Sequence, residues 1–221
     1  MSEIKETIPD FHHTPKRYQR LMDVVEDDAH GRVDSVRSEL DFIKQRQVTV
    51  SKLRDLMLAG DIPERVTHND TKINNVMMDE DSDEAVCVID LDTVMPGLSL
   101  YDFGDLVRTA VSPAAEDEQD LQKVQVRMPI FEALAKGYME ACSCLCEAEI
   151  ENLVFSGKLI SLEVAIRFLT DYLEGDVYFK THHEGHNLER ARTQLKLVEQ
   201  IEAHEPEMEQ VVSKLAKSLR A

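Results

Sequence analysis

What most constrains this chain is one strand-like interval inside a sequence otherwise patterned for helices. Two short apolar runs, Asn75-Val76-Met77-Met78 and Ala85-Val86-Cys87-Val88-Ile89, flank the acidic stretch Asp79-Glu80-Asp81-Ser82-Asp83-Glu84. Apolar runs of this length on either side of a polar turn predict a β-hairpin. Elsewhere the signals are helical. Thr14-Pro15 predicts a helix start with proline at the first helical position, and Gly31 its stop. A second helix is expected over roughly 34–46, with Val36, Leu40 and Ile43 on one face, and a third from Ser51 to Gly60. A loop with Pro96 and Gly97 leads to a helix near Tyr101 to Ala110, then a polar connection over 112–120. Beyond Met128 the pattern predicts helices at about 129–144, 147–172, 187–204 and 206–219. The expected fold is mainly α with a small β-hairpin.

With 221 residues the chain can bury one substantial core, so a single domain over 1–221 is expected. Within it, leading helices occupy 1–62, the hairpin and its polar ends 63–110, and a helical subdomain 111–221. Asp and Glu number 43 against 25 Lys and Arg, for a net charge of −18. A surface that acidic repels phosphodiester backbones, which argues against nucleic acid as a partner. Nucleotides stay open, because metal ions bridge carboxylates to phosphates. No apolar stretch is long enough to span a bilayer, and Met1-Ser2-Glu3-Ile4-Lys5-Glu6 carries no signal-peptide core. Cys87, Cys142, Cys144 and Cys146 do not suggest a disulfide framework, so a reduced, cytoplasmic protein is expected.

The chemistry sits at the two ends of the hairpin. Thr67-His68-Asn69-Asp70-Thr71-Lys72-Ile73-Asn74-Asn75 precedes the first strand, and Val88-Ile89-Asp90-Leu91-Asp92-Thr93 closes the second. In an antiparallel pair the start of one strand adjoins the end of the other, which brings Asp70, Asn75 and Asp90 around one small volume. Two carboxylates and an amide oxygen suit a Mg²⁺ ion that also holds phosphates. A carboxylate left free by the metal can accept a proton from a hydroxyl nucleophile.

His68-x-Asp70-x4-Asn75 resembles the H-x-D-x4-N catalytic loop of the aminoglycoside-phosphotransferase and choline-kinase group, and Ile89-Asp90 resembles its metal-binding Asp. The resemblance implies the C-terminal lobe of a protein-kinase-like (α+β) fold, with ATP and Mg²⁺ as cofactors. It implies Asp70 as catalytic base facing the acceptor, Asn75 and Asp90 as Mg²⁺ and nucleotide ligands, and His68 as a holder of the loop backbone. Asp92 is either a second metal ligand or a loop-capping carboxylate. Asp102, in Leu100-Tyr101-Asp102-Phe103-Gly104-Asp105, matches an Asp that opens a helix and braces the catalytic loop. Although Asp102-Phe103-Gly104 spells D-F-G, its place at a helix start assigns the metal role to Asp90. The wording from Arg65 to Arg108 is most similar to N-acetylhexosamine kinases, which phosphorylate the anomeric hydroxyl, and the similarity extends over about 4–203. That subgroup implies a sugar substrate held by Arg167 and Tyr178. Arg167 stands among apolar neighbours, where a guanidinium needs a carboxylate or a ligand.

The departures count as much. Eight glycines form no phosphate-covering cluster, no P-loop motif is present, and no sheet with a phosphate-binding Lys precedes the first helix. The expectation is a kinase-like C-terminal lobe whose N-terminal lobe is absent. Such a lobe should be inactive or nearly so alone, and could self-associate through the face its neighbour would cover. Two rivals stand beside the kinase reading: a non-catalytic sugar- or protein-binding module, and a metal-dependent phosphohydrolase. His182-His183-Glu184-Gly185-His186 lacks the spacing of H-E-x-x-H and reads as a solvated loop. Cys142 and Cys146 read as packed thiols sharing a helix face, Asp79 to Glu84 as a solvated hairpin tip, and Val211, Val212, Leu215 and Leu219 as a packing face.

Overall fold

A computed structural model describes residues 4–82 and 84–220; the expectations for Met1 to Glu3 and for Asp83 lie outside the described residues. The first helix, α1 (Thr14–Asp27), starts one residue earlier than its sequence suggests, because His13 is the cap and its ring nitrogen accepts the Lys16 N–H at 3.3 Å. Thr14 is engaged elsewhere: its hydroxyl donates to Glu163 Oε2 at 2.5 Å. Asp28, in a left-handed conformation, ends α1 before Gly31 is reached. The second expected helix divides into a 3₁₀ turn, Val33–Val36, and α2 (Arg37–Lys44). Helix α3 (Lys52–Ala59) follows Ser51 and stops at Gly60, whose φ of 83° suits glycine.

The strands are β1 (Arg65–Thr67), β2 (Val76–Met78), β3 (Ala85–Val88) and β4 (Met95–Gly97). They form two antiparallel pairs. β2 and β3 make the expected hairpin, with Val76 opposite Val88 and a register shift at Met77/Met78. The second pair corrects the loop reading of Pro96 and Gly97: Arg65 faces Gly97, Val66 faces Pro96 and Thr67 faces Met95. Pro96 is tolerated because β4 has one neighbour only and leaves an edge open. Gly97 is required by close approach, since a Cβ there would collide with Thr67 Oγ1 and lie 2.7 Å from Asn69 Oδ1.

The helical body is α4 (Ser99–Ala110), α5 (Met128–Ala141), α6 (Glu147–Glu151), α7 (Leu153–Leu173) and α8 (His186–Leu219). Apolar residues on all sides of α7 place it at the centre, with α1, α4 and α8 around it. α4 crosses α7 closely, because Gly104 lies against the Ser156 carbonyl and Gly157 against Val107. α8 overturns the expected break at Pro206 and runs through it. An interior proline costs a helix roughly 3 kcal/mol. Here Ile201, Met208 and Val212 share one face and are buried on both sides of the proline, each contributing about 1.5–3 kcal/mol. Burial wins.

Two smaller readings also change. Cys142 and Cys146 share no helix face: α5 stops at Ala141, Cys142 caps it, and Cys146 is the N-cap of α6 with its thiol only partly buried. The histidine-rich stretch is not wholly solvated. His186 begins α8 buried, accepting the His182 N–H at 3.2 Å and meeting Asp117 Oδ2 at 3.0 Å. Among the described residues no helix is long and apolar enough to cross a membrane.

Candidate active site

The loop between β1 and β2 is held from below by Asp102 in the first turn of α4. Its carboxylate accepts the His68 N–H at 3.0 Å and the Asn69 N–H at 2.7 Å, and its carbonyl accepts the Thr71 hydroxyl at 2.6 Å. Burial pushes the Asp102 carboxyl above the usual range, opposed by those two backbone donors. Asn69 takes a left-handed φ of 64°, and its side chain is tied to Thr67 Oγ1 at 3.0 Å and to the Thr93 carbonyl at 3.0 Å. The loop's shape is therefore fixed by buried polar contacts rather than by regular structure.

His68 links the two ends of the hairpin. Its Nδ1 accepts the Asp70 N–H at 3.3 Å, which leaves Nε2 as the donor to the Ile89 carbonyl at 3.1 Å. The Ile89 N–H in turn donates to the Asn75 carbonyl at 2.9 Å. These bonds carry Asp90 to the loop, at a left-handed φ of 61° and with its carboxylate half exposed.

Asp70, Asn75 and Asp90 share one small volume. The Asn75 amide donates to Asp70 Oδ2 at 3.0 Å and to the Asp70 carbonyl at 2.8 Å. The Lys72 ammonium lies 2.7 Å from Asp70 Oδ2 and 3.9 Å from Asp90 Oδ2. A cationic group thus sits between the two carboxylates. Hard oxygen donors of this kind fit a divalent cation whose remaining ligands are phosphate oxygens and water. Among the described residues no three His, Cys, Asp or Glu side chains are grouped to hold a metal, and the Asn75 amide nitrogen is turned to Asp70. The Asp92 carboxylate is exposed and accepts no hydrogen bond among the described residues, so it caps nothing there; its backbone carbonyl takes the Thr7 hydroxyl at 3.2 Å.

Three supporting residues escaped sequence reasoning. His12 places Nε2 2.9 Å from the Asn69 carbonyl and Nδ1 2.9 Å from Glu163 Oε1, both buried. Burial disfavours the His12 imidazolium, but the Glu163 charge and hydrogen bond more than offset it and hold its pKa above the ordinary value. Burial likewise opposes the Glu163 carboxylate, and His12 and Thr14 hold it below the usual range. The third residue is Glu149, which joins Arg65 of β1, Ser99 of α4 and the Cys146 N–H. A lone carboxylate at Glu163 inside an apolar run was the one available signal, since a buried charge needs a partner.

Arg167 and Tyr178 lie apart from Asp70. They border a cleft of about 380 Å³ together with Arg17, Asp10 and Phe179. Arg167 stands 5.4 Å from the centre of the Phe179 ring and 5.9 Å from that of Phe11. Tyr178 is exposed on the loop after α7, its ring edge-on to Phe179. The connection to the loop between β1 and β2 runs one turn along α7 to Glu163, then through His12 to Asn69.

The family model described as the phosphotransferase enzyme family matches residues 3–134, more than half of the chain and all of the polar site from Thr67 to Asp102. His12, Lys72 and Arg17 fall inside the match, whereas Glu163, Arg167 and Tyr178 lie beyond it. The fold this family implies is kinase-like, in keeping with a mainly helical body that carries small antiparallel strand pairs. The chain belongs to the phosphotransferase enzyme family.

Proposed function

We propose that this chain carries the catalytic loop and metal site of an ATP- and Mg²⁺-dependent phosphotransferase acting on a sugar hydroxyl, with an N-acetylhexosamine as the first acceptor to test. The observation that carries the reading is the Lys72 ammonium held between Asp70 and Asp90 beside the Asn75 amide. A pair of carboxylates that gathers the nearest cation is what a magnesium-nucleotide site requires.

In this reading Asp70 accepts the proton of the acceptor hydroxyl as its oxygen bonds to the terminal phosphorus of ATP and the bond from that phosphorus to the departing ADP breaks. Asn75 and Asp90 present oxygens to the metal, and Asp92 stands near as an outer carboxylate. When bound, Mg²⁺ would supply positive charge that offsets the charge developing on transfer. His68 and Asp102 keep the loop in register, so that the Asp70 backbone stays in place while Lys72 changes partner. Arg167 and Tyr178 hold the sugar. We include in the proposal a cytoplasmic setting.

The test is direct. The chain, alone and with a kinase N-terminal lobe supplied, is mixed with ATP, Mg²⁺ and N-acetylglucosamine or N-acetylgalactosamine, and sugar phosphate is followed by ³¹P NMR. Asp70→Asn should lower kcat by roughly 10²- to 10⁴-fold while nucleotide affinity holds. Asp90→Ala should instead weaken Mg²⁺-dependent nucleotide binding. Phosphate release without any sugar would favour a hydrolase, and no transfer under either condition would leave a binding module.

A further inference from the structure

In a chain of net charge −18, arginines find carboxylates easily. Arg20 pairs with Glu174, Arg32 with Asp176, Arg46 with Glu202 and Arg65 with Glu149. Among the described residues four arginines, Arg17, Arg54, Arg127 and Arg167, form no such pair, and two of them, Arg17 and Arg167, stand at one cleft. Both are half-buried, and among the described residues neither comes within 4.0 Å of a carboxylate. Arg17 donates only to the Phe11 carbonyl, at 3.3 Å, and Arg167 faces the Phe11 and Phe179 rings. Yet both line the same cleft.

The carboxylates of that cleft are already engaged. Asp10 takes the Lys16 ammonium at 2.6 Å, and Glu174 takes Arg20. Asp171 is saturated by the N–H groups of Val177, Tyr178 and Phe179 at 2.9, 2.7 and 3.0 Å and by the Asn187 amide at 2.7 Å. Burial holds the Arg167 guanidinium below its usual pKa, the nearby Glu163 and Tyr178 oppose this, and the charge of Arg17 adds to the depression. Two like charges so placed, partly out of water, are relieved by an anion between them. Guanidinium forks match the oxygens of a carboxylate or a phosphate.

We infer that Arg17 and Arg167 bind an anionic substituent of the acceptor, so that the sugar of the reading above carries a carboxylate or a phosphate besides the hydroxyl to be phosphorylated and the neutral N-acetylhexosamines are its weaker analogues. This rests on the sugar-phosphotransferase reading above. The two arginines grip the anion, and the Phe179 and Tyr178 rings offer a face to the sugar.

Isothermal titration of the whole chain, without nucleotide or Mg²⁺, tests it. The ligands are N-acetylglucosamine 6-phosphate and glucuronate, their neutral counterparts N-acetylglucosamine and glucose, and inorganic phosphate. One acidic sugar should bind at least about tenfold more tightly than its neutral twin, since the added contacts are charge-assisted hydrogen bonds. That advantage should shrink as salt is raised. Arg17→Gln and Arg167→Gln should abolish the advantage at unchanged circular dichroism. Should either variant unfold, the Lys replacements keep the charge, lose the fork, and should lose several-fold in affinity. Which acidic sugar gains over its neutral twin identifies carboxylate or phosphate. Equal binding of acidic and neutral sugars overturns the inference, as does no binding at all. Inorganic phosphate binding as tightly as the sugar phosphate overturns the acceptor assignment. Because no phosphoryl transfer is involved, a silent kinase assay leaves this result legible.

Discussion

Glu149 receives four hydrogen bonds from three parts of the chain. Arg65 donates through Nε at 2.9 Å and a terminal nitrogen at 2.8 Å, Ser99 Oγ at 2.6 Å and the Cys146 N–H at 2.8 Å. Burial works against its ionised form, but Arg65 leads a set of donors that brings the pKa down to about 2. A pKa lower in the folded chain than in the unfolded one adds stability above the unfolded value, and that stability is lost as pH falls through the folded value. The shift from the ordinary 4.5 to about 2 corresponds to about 3 kcal/mol. Glu149→Gln should therefore cost about 3 kcal/mol in urea unfolding at pH 7, with the difference from wild type closing between pH 4.5 and pH 2. A constant difference across that range would remove the ion pair as its cause. The proximity of Asp70, Asn75, Asp90 and Asp102 was legible in the sequence because all four lie within a few dozen residues of one hairpin. Glu149 was not, since its partner Arg65 is 84 residues away, nor was His12, which is 151 residues from Glu163.

Between elements, the contact that sets the site is the crossing of α4 and α7. A Cβ on Gly104 would stand 2.6 Å from the Ser156 carbonyl and 2.7 Å from Ile160 Cγ1, one backbone atom and one core side chain. Neither can move aside cheaply. Gly104→Ala should destabilise by roughly 1–3 kcal/mol, read as a lower melting temperature. Because α4 carries Asp102, the same variant should speed hydrogen exchange at the His68 and Asn69 amides. An unchanged melting temperature would show that the helices can separate without loss. The crossing also explains Asp102-Phe103-Gly104: Phe103 fills the core and Gly104 admits α7, so the letters serve packing. The hairpin and the Ser51–Gly60 helix were legible because their signals are local. The β1–β4 pair was not, since two three-residue strands about thirty residues apart leave no periodic trace. Pro206 misled for a related reason: local propensity spoke for a break, and distant packing overruled it.

For the molecule as a whole, 43 acidic groups against 25 basic ones dominate the behaviour in solution. Like charges crowded on a compact surface repel, and salt screens them over about 10 Å at 0.1 M. The melting temperature should rise by a few degrees, on the order of 2–5 °C, between 20 and 200 mM NaCl in differential scanning fluorimetry. A fall would mean that attractive pairs such as Arg46–Glu202 outweigh the repulsion. Against that field the Lys72 ammonium acts as a tethered counterion, compensating Asp70 and Asp90 on the spot. On the metal role proposed for this pair, a bare divalent ion arriving there would have to evict a rival that cannot diffuse away. A nucleotide-borne ion brings phosphates to which the evicted ammonium can turn. Loading would then be a change of partners at nearly constant local charge, which favours the complete metal-nucleotide over either component alone.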